Sequence, residues 1–244
     1  MARTVGPTKS LGSRAVHLIT ALCCAGIGLA LGPTLATLTL SVPTDGSNWP
    51  PAWWRGGSAT GRRLVLVGAL AAIALGVLGG GIGWRAWLPA YLWLAATAVV
   101  LAVIDVEHHR LPDALTFPAY GAGVVLLGIA AAVTGDGNAY VHALISMAAV
   151  FAVFFVLAFL GGIGFGDTKL AGMLGLYLGW LGYGPVILGL VAGFCVGAAV
   201  AVSLLAARVA GWKTDVAFGP SLLAGALFAV VLGRHIMDAY LNIN

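Results

Sequence analysis

Long uninterrupted apolar runs alternate with short polar breaks along this chain. The runs are Ala15 to about Val42, Leu64–Trp84, Leu88–Ile104, Ala114–Val133, Tyr140–Leu160, Leu170–Leu181, Pro185–Ala207 and Phe218–Leu232. Most approach the roughly 20 residues that a helix needs to cross a bilayer. They are continuous, whereas membrane barrel strands alternate apolar and polar residues over segments of about 10. The pattern predicts an all-α, polytopic transmembrane helix bundle of about eight spans. The first run exceeds the roughly 7–15-residue core of a signal peptide and reads as a retained helix, with Pro33 placed to kink it. Leu170–Leu181 is the exception. Its twelve residues rise about 18 Å against a hydrocarbon core of about 30 Å. Either this helix begins below the membrane surface or it breaks near Gly182–Pro185.

The longest polar break, Pro43–Arg63, carries Pro43, Pro50, Pro51, Trp49, Trp53, Trp54, Arg55, Arg62 and Arg63. Proline and glycine break helices, and tryptophan favours the membrane interface, so a surface loop is expected there. Residues 1–87 thus form N-terminal spans with a polar loop, and residues 88–244 a second membrane segment. Composition strengthens the class: of 244 residues 61% are hydrophobic and only 8% charged, with mean hydropathy +1.02. Soluble domains carry about 25% charge, so these charges cannot coat a soluble globule. The net charge of +4 suits loops facing anionic lipid headgroups. No basic cluster with interleaved aromatics points to nucleic acid. Cys23, Cys24 and Cys195 all fall inside apolar runs and read as small buried hydrophobes rather than ligands or a disulfide framework.

Two acids stand out. Asp105 ends one run, in AVIDVEHHRLPD, and Asp167 precedes another, in GFGDTKL. Two crossings, Ala114–Val133 and Tyr140–Leu160, separate them, so both should lie on the same membrane face. With Asp105 on the cytoplasmic side, that side holds Arg55, Arg62, Arg63, Arg110, Lys169, Arg208 and Lys213. The other side holds Arg3, Lys9, Arg14, Arg85 and Arg234, so lysine and arginine weakly favour this orientation. Carboxylates near hydrocarbon are costly and are functional candidates. Two held close together cannot both ionise easily and share a proton; one can then take a proton from water while the other donates to a peptide carbonyl.

The neighbouring residues suit that chemistry. Gly164 and Gly166 clear side chains from around Phe165, leaving room for a substrate backbone. Asp167 sits where the next helix begins; it could merely cap that helix, and a helix N-terminus would also make it the more readily ionised acid. Pro112 fixes the backbone before Asp113, which is expected to cap the fourth span. Glu107, His108, His109 and Arg110 read as a solvated face, because EHHR lacks the HExxH spacing of a zinc protease; no metal is expected. Lys169 either neutralises a nearby carboxylate or, the preferred reading, reaches toward headgroups.

The combination IDxxxxxLPD, followed about 60 residues later by GxGDxKL, resembles the type IV prepilin peptidases, a family of GxGD intramembrane aspartyl proteases. AFGPSLLAGAL, from Ala217 to Leu227, resembles a third family segment, and the likeness extends from about Leu88 to Leu232. The resemblance implies that Asp105 and Asp167 are a catalytic pair on the cytoplasmic side of a bacterial plasma membrane. Gly164, Gly166, Lys169, Pro112 and Asp113 would support it. It implies cleavage, without a cofactor, of short basic leaders from prepilin-like precursors. Longer family members carry paired CxxC motifs and many N-methylate the new N-terminus. Here the Pro43–Arg63 loop has no cysteine or histidine for a zinc site, so the resemblance is expected to be to a short form without the CxxC domain, and no methyl-donor site is visible. Two other readings compete: a proton- or ion-coupled transporter using the same carboxylates, which the lack of paired broken helices disfavours, and a purely structural membrane subunit.

Overall fold

The computed structural model describes residues 7–41, 59–161, 163–207 and 218–241. Eight helices are found among them: α1 (Pro7–Ser41), α2 (Gly61–Ile82), α3 (Leu88–His108), α4 (Asp113–Thr134), α5 (Gly137–Phe159), α6 (Phe165–Leu181), α7 (Tyr183–Ala206) and α8 (Gly219–Leu241). No strand occurs among the described residues. Six helices, α1 to α5 and α7, are long and apolar enough to cross a membrane, and their outer faces carry exposed residues such as Leu18, Ile73, Val133 and Val156. The fold is therefore the expected polytopic helical bundle. Most of the Pro43–Arg63 loop, with its tryptophans, lies outside the described residues, as do Arg208–Asp215, Arg3 and the last three residues.

Sequential helices pair most extensively: α1 with α2, α5 with α6, and α7 with α8. Lipid is as apolar as leucine, so such pairs depend on close packing rather than on escape from water. Small residues permit it. A Cβ on Gly32 would sit 2.8 Å from the Cα of Gly68, and one on Gly225 would fall on the backbone of Gly193 and Gly189.

Helix α6 occupies the middle of the bundle, touching α3, α4, α5, α7 and α8. Every residue from Leu170 to Trp180 is buried. This explains both its lack of a polar face and its short length: a helix enclosed by others does not have to meet lipid along its whole course. Tyrosine hydroxyls tie it in place. Tyr91 O–H donates to the Tyr177 carbonyl (2.6 Å), Tyr177 O–H to the Ala119 carbonyl (2.9 Å), and Tyr120 O–H to the Lys169 carbonyl (2.6 Å). Without water to compete, each hydroxyl is satisfied by backbone from a neighbouring helix.

Several boundaries move relative to the apolar pattern. The sixth helix begins at Phe165 rather than Leu170, and its 17 residues rise about 25 Å. The third continues to His108, which places Asp105 one turn inside the helix rather than at its end. Of the cysteines only Cys24 is buried; Cys23 and Cys195 face outward. An outward helix face in this bundle meets lipid rather than packed protein, so an apolar run alone does not say which of its members are enclosed.

Candidate active site

Four helix ends meet on one side of the bundle: the C-terminus of α3 and the N-termini of α4, α6 and α8. Asp105 comes from the last turns of α3. That helix stops because His109 turns left-handed (φ 52°, ψ 38°), with its N–H bonded to the Asp105 carbonyl. The chain then runs through exposed Arg110 to Pro112, whose extended backbone (φ −69°, ψ 130°) starts α4. The Asp105 side chain turns inward and is only 5% exposed. Its Oδ2 accepts the backbone N–H of Gly219, at the start of α8, at 3.0 Å.

Asp167 arrives from the opposite direction. Gly164, in extended conformation, occupies the cap position of α6, and Asp167 is the third residue of the helix, half-buried. Gly166 sits where a Cβ would lie 3.5 Å from Leu111, so the first turn of α6 nests against the α3–α4 connection. The carboxyl groups of Asp105 and Asp167 lie within electrostatic reach of one another. The antiparallel return through α4 and α5 thus puts both acids at the same end of the bundle. Like charges at short range disfavour double ionisation, so the pair is suited to holding one proton between two carboxyls.

Some expected roles change. Asp167 does not cap its helix: Gly164 takes that place, and no side-chain cap bond forms. Asp113 does not cap α4 either, because Pro112 precedes the helix and Asp113 is its first residue. Instead Asp113 Oδ1 accepts from Lys169 Nζ at 2.6 Å, and the same ammonium lies 5.5 Å from the Phe117 ring. Lys169 therefore neutralises a carboxylate rather than reaching for headgroups. Glu107, His108, His109 and Arg110 are exposed, as their polarity suggests. Glu107 pairs with Arg63 at 2.5 Å, and Arg63 Nε also donates to Thr39 Oγ1 at 2.8 Å, tying α1 and α2 to the end of α3.

Gly219 was invisible to reasoning about side-chain chemistry, since it contributes only an N–H. The signal was the AFGPSLL segment, which has no acid, base or nucleophile apart from a serine hydroxyl. A Cβ at position 219 would stand 2.6 Å from Asp105 Oδ2, so the close approach requires glycine.

These features define a multi-pass helical membrane protein with a buried and a half-buried acid paired at one end of its bundle. The chain belongs to the type IV leader peptidase family, whose profile matches residues 91–233, a span that includes Asp105, Asp167 and Gly219. Among curated proteins it is similar to a prepilin leader peptidase/N-methyltransferase of Klebsiella pneumoniae, 35% identical over 122 residues, covering 49% of this chain and 48% of that protein. A protein of the same description from Pseudomonas aeruginosa is 30% identical over 122 residues, covering 49% of this chain and 42% of the relative. One from Stutzerimonas stutzeri is 30% identical over 114 residues, covering 44% and 39%. The chain thus spans less than half the length of these relatives. No solved structure matches it.

Proposed function

We propose that this protein is an intramembrane aspartic endopeptidase that removes the leader peptide from type IV prepilin-like precursors. Asp105 and Asp167 are its catalytic pair. The observation that carries this reading is the placement of two carboxyls, 62 residues apart in sequence (167 minus 105), within electrostatic reach at one end of the bundle. Family membership supports it, and the names of the similar curated proteins supply the substrate class.

The chemistry needs one ionised and one protonated carboxyl. The ionised group takes a proton from water as the water oxygen bonds to the scissile carbonyl carbon. The protonated group gives its proton to the carbonyl oxygen, forming a neutral diol. The diol collapses as the first carboxyl returns its proton to the amide nitrogen and the C–N bond breaks. The second carboxyl recovers a proton from a diol hydroxyl, and the pair is restored. The burial of Asp105 keeps bulk water from that carboxyl and so strengthens its interactions.

Residues 88–244 form the peptidase core in this reading, and residues 1–87 supply α1 and α2, which pack against α3. Arg63, Arg110 and Lys169 lie at the acid-pair end, which favours its placement at the cytoplasmic face of a bacterial plasma membrane. The Asp113–Lys169 pair holds the start of α4 against α6, Pro112 starts α4, Gly164 leaves space beside Asp167, and Gly166 lets the first turn of α6 nest against Leu111. The relatives' names also include an N-methyltransferase; the acid pair accounts for the peptidase alone.

The test replaces Asp105 or Asp167 singly by Asn and follows processing of a co-expressed pilin precursor. Each variant should insert normally and leave the precursor uncleaved. Undiminished cleavage by a stably inserted variant at either position rejects the assignment.

A further inference from the structure

The two carboxyls are not equivalent. Asp105 is 5% exposed and accepts a backbone N–H from another helix, whereas no hydrogen bond to the Asp167 carboxylate is found among the described residues. The donor is Gly219, the first residue of α8, and the AFGPSLL segment that surrounds it has no other part in the chemistry above. We propose that Gly219 is a positioning residue that keeps Asp105 as the ionised, water-activating member of the pair, so that Asp167 carries the shared proton. This rests on the peptidase reading and assigns the roles within it.

Three observations lead there. Burial works against a charge on Asp105, and the hydrogen bond donated by Gly219 opposes that by stabilising the charged form over the protonated one. The N–H belongs to a helix N-terminus, where the aligned peptide dipoles add positive potential. And the approach is possible only without a side chain, since a Cβ on Gly219 would meet Asp105 Oδ2 at 2.6 Å and Leu170 Cδ2 at 3.5 Å. Asp167 also stands in a helix first turn, but no side-chain cap bond forms there.

The surrounding charges leave this asymmetry in place. Asp167, from α6, opposes a second negative charge, and His109, at the end of α3, acts on Asp105 from solvent-exposed surface. Glu107 of α3 is paired with Arg63 of α2, and Asp113 of α4 with Lys169 of α6. Exposed His108 and Arg110 complete the set on this end of α3. The first turn of α8, Gly219 to Leu222, and the last turn of α1, Leu38 to Ser41, contain no ionisable side chain.

The roles can then be written on named atoms. Asp105 takes the proton from water as the C–O bond forms and later passes it to the leaving nitrogen. Asp167 donates to the carbonyl oxygen and is reprotonated from the diol. Gly219 touches neither water nor substrate and acts only through Asp105.

The experiment compares Gly219→Ala with Gly193→Ala, each purified as the full chain, reconstituted in proteoliposomes and assayed on a pilin precursor. Position 193, on α7, crowds the first turn of α8 at Leu222 and Ser221, whereas position 219 faces Asp105 and Leu170. Gly219→Ala should lower kcat about 10- to 100-fold, the range for losing one charge-assisted hydrogen bond, with KM nearly unchanged. The acid limb of its pH–rate profile should move to higher pH, because an unsupported Asp105 needs a higher pH to ionise. Gly193→Ala should lower thermal stability without moving that limb. A Gly219→Ala profile that matches wild type, or merely that of Gly193→Ala, overturns the proposal. If Asp105→Asn still cleaves in the same assay, the peptidase reading itself falls; if only the Gly219 result fails, that reading stands.

A second measurement needs no change at position 219. Infrared spectroscopy of the inserted protein resolves the carbonyl stretch of a protonated carboxyl. That band should shift in Asp167→Glu and stay in place in Asp105→Glu. The reverse pattern overturns the role assignment even if the Gly219 variant never inserts.

Discussion

Lys169 lies two residues beyond Asp167 and could be mistaken for part of the chemistry. The structure predicts that it is not. Its Nζ donates to Asp113 Oδ1 at 2.6 Å, but the two side chains are 31% and 50% exposed, so solvent screens the pair. Exposed and half-exposed ion pairs contribute about 0.2–1 kcal/mol. The start of α6 has other anchors. Tyr120 O–H donates to the Lys169 carbonyl at 2.6 Å, and Thr168 Oγ1 to the Phe154 carbonyl at 3.3 Å. Neither uses the lysine side chain, so Lys169→Met should leave the backbone that presents Asp167 in place. A double-mutant cycle with Lys169→Met and Asp113→Asn, followed by unfolding in detergent, should give a coupling below about 1 kcal/mol. In precursor cleavage Lys169→Met should cost less than about ten-fold in kcat, against about a thousand-fold or more for Asp167→Asn. A loss at Lys169 as complete as that at Asp167, with stability unchanged, would refute this reasoning and place the ammonium among the reacting groups.

Two further changes test the packing that holds the site. Tyr177→Phe deletes the hydroxyl on the Ala119 carbonyl while the ring keeps its edge contact with Tyr91, so detergent unfolding should show a loss of about 0.5–1.5 kcal/mol; a loss beyond about 3 kcal/mol would contradict a simple hydrogen-bond role. Gly225→Ala puts a methyl onto the backbone of α7 and should lower stability by at least about 1–3 kcal/mol, with a corresponding fall in thermal midpoint; an unchanged midpoint would show that α7 and α8 do not cross so closely.

The spans were legible because hydrocarbon tolerates little but continuous apolar helix, and counting crossings sufficed to place Asp105 and Asp167 on one face. Finer features depended on contacts that no local pattern records. The GFGD stretch, Gly164–Asp167, reads as a turn because its glycines and acid interrupt hydrophobicity, yet the helix already begins at Phe165, with Gly166 nested against Leu111. Asp113 satisfies the composition of a cap, but its partner is a lysine 56 residues away. Gly219 is the clearest case, since its contribution is one N–H aimed across 114 residues at a carboxylate. A glycine's importance shows only when the atom that would collide with its missing side chain is known.

The central claim is that Asp105 and Asp167 act as one unit, and the kinetics of the two single Asn variants and the double variant test it most directly. Groups that share one proton in one step cannot contribute independently, so each single change should reduce precursor cleavage about as far as the double change does. Single losses that multiply in the double variant, or cleavage that survives either replacement, would show that the two acids do not form a catalytic pair.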